Sequence, residues 1–147
     1  MSTTSQIGLR LHDTVPGTLG ERAAAAKAQG FTCAHLALSK TMGKQYMEPG
    51  VLTPGFARHV LNELQGLDTA VLGCYLNLAT TDMDEYRETV NKYVTHLRFA
   101  RWLNAGVVGT ETGNPNREYR YDPDLSHTDA TLDLFISRIA PVVEAAE

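Results

Sequence analysis

Short apolar runs and longer stretches of helical spacing alternate along this chain, four times over. The first run, Ile7-Gly8-Leu9-Arg10-Leu11-His12, reads as a strand ending at Asp13. Thr18-Leu19-Gly20-Glu21 then has the form of a capping box, and the alanines from Ala23 to Ala28 favour a helix that Gly30 stops. A second strand is predicted from Thr32 to Leu38, and a loop from Ser39 to Val51. Thr53-Pro54 opens the next helix, whose Phe56, Val60, Leu61 and Leu64 share a face and which Gly66 ends.

The third strand is predicted over Ala70 to Leu78. Asp82 is placed to cap a long helix reaching about Asn104, with Tyr86, Val90, Tyr93, Leu97 and Ala100 at burial spacing. Gly106 stops it, and Val107 to Gly113 forms the fourth strand. A polar loop runs from Asn114 to Leu125. Ser126 or Thr128 caps a last helix through Leu132, Phe135, Ile136 and Ile139, with a kink or break expected at Pro141, which has no amide hydrogen.

Strands alternating with helices specify an α/β fold with a parallel sheet, and ligands in such folds sit at the carboxyl ends of the strands. Four βα units amount to half of a (β/α)8 barrel, which typically takes roughly 250 residues. A doubly wound, flavodoxin-like domain shares the local pattern. It would want a phosphate-binding loop after the first strand, where the turn from Asp13 to Thr18 offers only Gly17.

Composition adds limits. The 147 residues fit one domain, with residues 1–6 as a flexible polar lead-in. A net charge of −4 and the absence of a basic run argue against nucleic acid and against an anionic membrane surface. No apolar run reaches a membrane span, and the first residues carry no signal-peptide pattern. Cys33 and Cys74 lie in apolar strand runs and read as buried, reduced thiols, which makes the cytoplasm the expected address.

Several segments together resemble the sugar phosphate isomerase/epimerase family of xylose-isomerase-like TIM barrels. They are Ile7-Gly8-Leu9, Gly30-Phe31, Leu72-Gly73-Cys74-Tyr75-Leu76-Asn77, Phe99-Ala100-Arg101 and, most of all, Gly109-Thr110-Glu111-Thr112-Gly113. The resemblance spans nearly all of the chain but only the amino-terminal half of the family's barrel. It implies metal-assisted proton transfer on a sugar or sugar phosphate, with a divalent ion (Mn, Mg, Co or Zn) stabilising the charge of an enediolate. The family's metal ligands come from later strands, so no ligand carries over to a residue here. His35 stands where many relatives have Glu near the second strand.

Among the residues themselves, Glu111 is the candidate catalytic group, a carboxylate flanked by glycines at the end of the fourth strand. His12 and Asp13 border the same mouth, and His12, His35 and Asn77 are candidates for contact with substrate hydroxyls. His12, His35 and Glu111 also form a conceivable metal trio. Lys40 and Lys44 follow the second strand, where a phosphate would be held. His59, His96 and His127 fall on expected helix surfaces or caps, His96 sharing a face with Arg98, Arg101 and Trp102.

Two functions follow as expectations. Completed by a second half, the barrel would interconvert sugar isomers or epimers. Left incomplete, the open sheet edges at the first and fourth strands would make it a binding or assembly module, pairing as a homodimer or with a complementary carboxyl-terminal half.

Overall fold

The computed structural model describes residues 6–116 and 121–147. The expected lead-in therefore lies, apart from Gln6, outside the described residues, as does part of the loop after Asn114. Four strands, β1 Gly8–Arg10, β2 Cys33–Leu36, β3 Asp68–Gly73 and β4 Val107–Gly109, form one sheet in the order β1-β2-β3-β4. Every neighbouring pair is parallel. The helices among the described residues are α1 Leu19–Ala28, α2 Leu38–Thr41, α3 Pro54–Leu64, α4 Met83–Leu103, α5 Pro123–Ser126 and α6 Asp129–Glu144. The chain is thus α/β, as the alternation requires.

A parallel crossover is almost always right-handed, so strands taken in sequence order place successive helices on the same face. Accordingly α1 packs on α3, α3 on α4, and α4 on α6. Ala34, Leu36 and Leu72 point into this layer and meet Ala23, Val60, Leu64, Phe99 and Leu103. Further along, Cys74, Leu78, Tyr93 and Val142 form a second cluster beneath α4 and α6.

Side chains alternate along a strand, so the intervening residues line the other face. These are Gly8 and Arg10, Cys33 and His35, Val71 and Gly73, and Val107 and Gly109. Arg10 is exposed and Val107 is 55% exposed. Cys33 and Cys74, both free and buried, consequently sit on opposite faces of the sheet.

The strands are shorter at their carboxyl ends than the apolar runs. Leu11–Asp13 is a 3-10 turn, closed by the Thr14 amide and hydroxyl donating to Leu11 O at 3.4 and 2.7 Å. β3 starts earlier than Ala70 because the Asp68 amide already donates to Thr32 O at 2.9 Å. The expected loop from Ser39 to Val51 contains α2 and a 3-10 turn, Lys44–Met47, held down by buried Leu38 and Met47.

Thr18 and Glu21 make the full capping box, and Thr53 and Asp82 cap α3 and α4. Of the two candidate caps for the last helix, Thr128 does the work, its hydroxyl accepting from the Thr131 amide at 3.2 Å; Ser126 belongs to α5. α6 does not break at Pro141 but runs on to Glu144. The missing amide costs one ladder bond, and the next residue, Val142, is buried against the core. His96 is not on a helix surface: it is wholly buried on the face of α4 that carries Tyr93 and Phe99. No helix among the described residues is long and apolar enough to cross a membrane.

Candidate functional site at the carboxyl end of the sheet

Three rings from three elements stand in a row where the strands end. His12 lies in the turn after β1, His35 in β2, and Tyr75 two residues beyond Gly73 of β3. The His12 and His35 ring centroids are 5.7 Å apart at 82°, and those of His35 and Tyr75 are 5.6 Å apart at 89°. Tyr75 Oη is 2.9 Å from His35 Nε2, within a hydrogen bond. The row exists because glycines leave room for it. A Cβ on Gly73 would stand 2.5 Å from His35 Nε2 and 2.6 Å from Tyr75 Cε2, and one on Gly109 would stand 3.2 Å from Tyr75 Oη.

Cations surround the row. Lys40 Nζ sits 5.4 Å from the centre of the Tyr75 ring, a cation–π placement. Arg10 reaches His12 Nε2 at 3.0 Å and Asp13 at 3.0 Å. A guanidinium only donates, so this contact makes His12 Nε2 an acceptor and places the proton of the neutral ring on Nδ1. That nitrogen is buried without a partner, in a side chain only 7% exposed.

Both histidines are held below their ordinary pKa. For His12 the main cause is burial, opposed by Asp13 and reinforced by Arg10. For His35 it is again burial, followed by the charges of His12, Arg10 and Lys40. At neutral pH the row is therefore two uncharged imidazoles and a phenol under positive potential. Such a set can accept and donate protons and can attract an anion.

Around this row the ends of β3 and β4 are tied together. Tyr93, on α4, donates to Leu76 O at 3.0 Å, accepts from the Leu76 amide at 3.1 Å and bonds the Thr110 hydroxyl at 2.5 Å. Its burial raises its pKa to about 12, so it stays a neutral phenol. Asn77 accepts from the amides of Ala79 and Asn114 at 3.1 and 2.9 Å and donates to Asn114 O at 2.8 Å. Its amide thus serves the chain itself. Glu111 is exposed, two residues past the glycine that faces Tyr75 Oη.

His12, expected at a strand end, and His35, expected inside the second strand, therefore converge. Glu111 follows the next strand end along, and Asn77 is engaged in the framework. Tyr75 was missed as a site residue, although the signal was present: it is two residues from Gly73 and so shares its side of the chain, the side that carries His35. His12, His35 and Glu111 do not assemble as metal ligands, since among the described residues no three His, Cys, Asp or Glu side chains come together in a group able to hold a metal ion. The nitrogens explain this in part, because His35 Nε2 is turned to Tyr75 and His12 Nε2 to Arg10.

Hollows bounded by the described residues do not include the row. One of about 270 Å³ is bounded by Thr112, Gly113, Thr128, Leu132 and Phe135, between the end of β4 and the start of α6. Another, about 460 Å³, lies among Thr18, Thr41, Tyr46, His59 and Glu63. No protein-family model matches this sequence, and no curated protein matches it. The class of protein is thus defined by its fold, an α/β chain with one all-parallel sheet.

Proposed function

We propose that this chain is an open half of an eight-stranded α/β barrel. The carboxyl end of its sheet would bind a small polyhydroxylated molecule, a sugar or sugar phosphate, and move a proton on it. The observation that carries the reading is the His35–Tyr75 hydrogen bond at 2.9 Å, set between His12 and Lys40. A neutral imidazole paired with a phenol is a proton relay whose half-buried phenol can meet a bound molecule.

In the proposed step a proton leaves the carbon beside a substrate carbonyl for the relay, and the electron pair passes onto the carbonyl oxygen. The resulting enediolate is offset by the positive potential of Arg10 and Lys40. Returned to the neighbouring carbon, with the hydroxyl proton passing to the former carbonyl oxygen, the proton gives the isomer; returned to the opposite face of the same carbon, it gives the epimer, and neither outcome gains or loses atoms. Glu111 is the further candidate for holding or deprotonating a hydroxyl. The metal that the family resemblance implies finds no fitting ligand set among these residues, so each step is written for the chain's own groups. A reducing cytoplasmic setting would suit the two free cysteines.

The test is proton exchange. Pentoses, hexoses and their phosphates are incubated with the protein in heavy water, and deuterium entering the carbon beside the carbonyl is followed by NMR. Exchange that falls at least about tenfold in Tyr75→Phe supports the reading. An absence of exchange, together with an absence of binding by any of these sugars in calorimetry, removes it.

A further inference from the structure

Both outer edges of the sheet, β1 and β4, are without a neighbouring strand among the described residues. The four long helices form one layer, so among the described residues the face bearing Arg10, Val71 and Val107 has no helix layer of its own, and parallel sheets are rarely left covered on one face only. At the β4 end of the layer, α6 also leaves Leu132 and Ile136, each 55% exposed, in one stripe with Val143, 50% exposed.

From this we infer that two copies of the chain close into one eight-stranded barrel, β1 of each pairing in parallel with Gly109, the last residue of β4, and the two residues after it in the other. A twofold axis running along the strands keeps all eight parallel and satisfies both edges at once, so the assembly ends at a dimer. Eight is also the strand number at which side chains fill a closed barrel. The inference rests on the half-barrel reading proposed above, but not on its sugar chemistry.

The pairing register follows from closure. In the sheet, Arg10 is level with His35, His35 with Val71, and Val71 with Val107. An eight-stranded parallel barrel closes with a shear of about eight residues, hence about four for each copy. Arg10 of one copy then comes level with the residue four past Val107 in the other, which is Glu111, and Gly8 comes level with Gly109. A stagger of the opposite sense would pair β1 with Leu103, which is helical. Closure thus brings Arg10, which within its own chain pairs with Asp13 at 3.0 Å, against Glu111 of the other copy twice, both residues being exposed in the single chain. It also roofs the two His12–His35–Tyr75 rows with each other's sheet.

Light scattering on the full chain tests this. The expected mass is twice the 16.1 kDa of one chain. Arg10→Glu and Glu111→Arg should each weaken the dimer at least about tenfold, because each sets like charges face to face. Mixing the two variants should restore it as a heterodimer, since both contacts then join opposite charges. The doubly exchanged chain, R10E with E111R, should dimerise by itself, and it serves if either single variant fails to fold by circular dichroism. A monomeric wild type overturns the inference, as does a dimer indifferent to these exchanges, which would point to the α6 stripe instead.

Discussion

Gly73 and His35 are neighbours across β2 and β3, and the missing Cβ of Gly73 is the space His35 Nε2 occupies. That Cβ would stand 2.5 Å from the nitrogen. Gly73 has no positive φ, so the backbone accepts alanine and only the side chains object. Gly73→Ala should therefore displace His35 and Tyr75 from each other and cost about 1–3 kcal/mol, the usual range for overpacking. Denaturant unfolding measures the cost, and an NMR titration of His35 reports the lost phenol contact. An unchanged His35 titration would mean that the row does not depend on this glycine.

Three histidines, His12, His35 and His96, have pKa values below the ordinary 6.5, each chiefly because burial disfavours the charged ring. A depressed folded-state value means that the unfolded chain binds more protons below pH 6.5. Their contribution to stability is thus present above that pH and is lost as pH falls through the window beneath it. The melting temperature should drop steadily from pH 7 to pH 5.5.

His96 offers a separate check on the same linkage. Its Nδ1 donates to Lys92 O at 2.7 Å, which leaves Nε2 as a buried acceptor without a partner. His96→Leu removes a group that must shed its proton to fold. Its melting temperature should fall less steeply with acid than that of the wild type, and parallel curves for the two proteins would refute the assignment.

Asn77 joins the ends of β3 and β4 through three hydrogen bonds, two of them to the Asn114 backbone. Asn77→Ala would strand buried amide and carbonyl groups and should cost about 2–3 kcal/mol. If Asn77 instead serves mainly to hold a sugar, the variant will keep its stability and lose affinity. Unfolding and titration calorimetry on one preparation separate the two.

Thr18→Ala should cost about 1 kcal/mol, because the Thr18 hydroxyl and the Glu21 carboxylate complete each other's bonds at the start of α1. Thermal unfolding measures it. A loss below a few tenths would show that packing of the alanine face alone holds this helix.

The elements were legible wherever a local rule governs them. Capping at Thr18, Thr53 and Asp82, and the stop signals at Gly30 and Gly66, depend on backbone groups within a turn of the residue itself. Strand ends were less legible, since Leu11 and Leu78 are apolar yet lie beyond the ladder. Their burial comes from the helices, and periodicity does not distinguish a residue buried in a strand from one buried beside it. The short α2 escaped for the same reason: Leu38 packs into the core from a segment whose Gly43 and Pro49 read as loop.

Of the site, the sequence by itself determined that it would form at the carboxyl end of the sheet, because a βα rhythm and a parallel sheet decide that much. His12, at the end of the first apolar run, follows from it. Only the tertiary structure decided what those rings touch. Tyr75 meets His35 across 40 residues, and His96 is buried while its neighbour Arg98 is exposed. Strand pairing and helix rotation fix such contacts to within a few ångströms, and both are set by packing of the whole layer. No local signal carries that information.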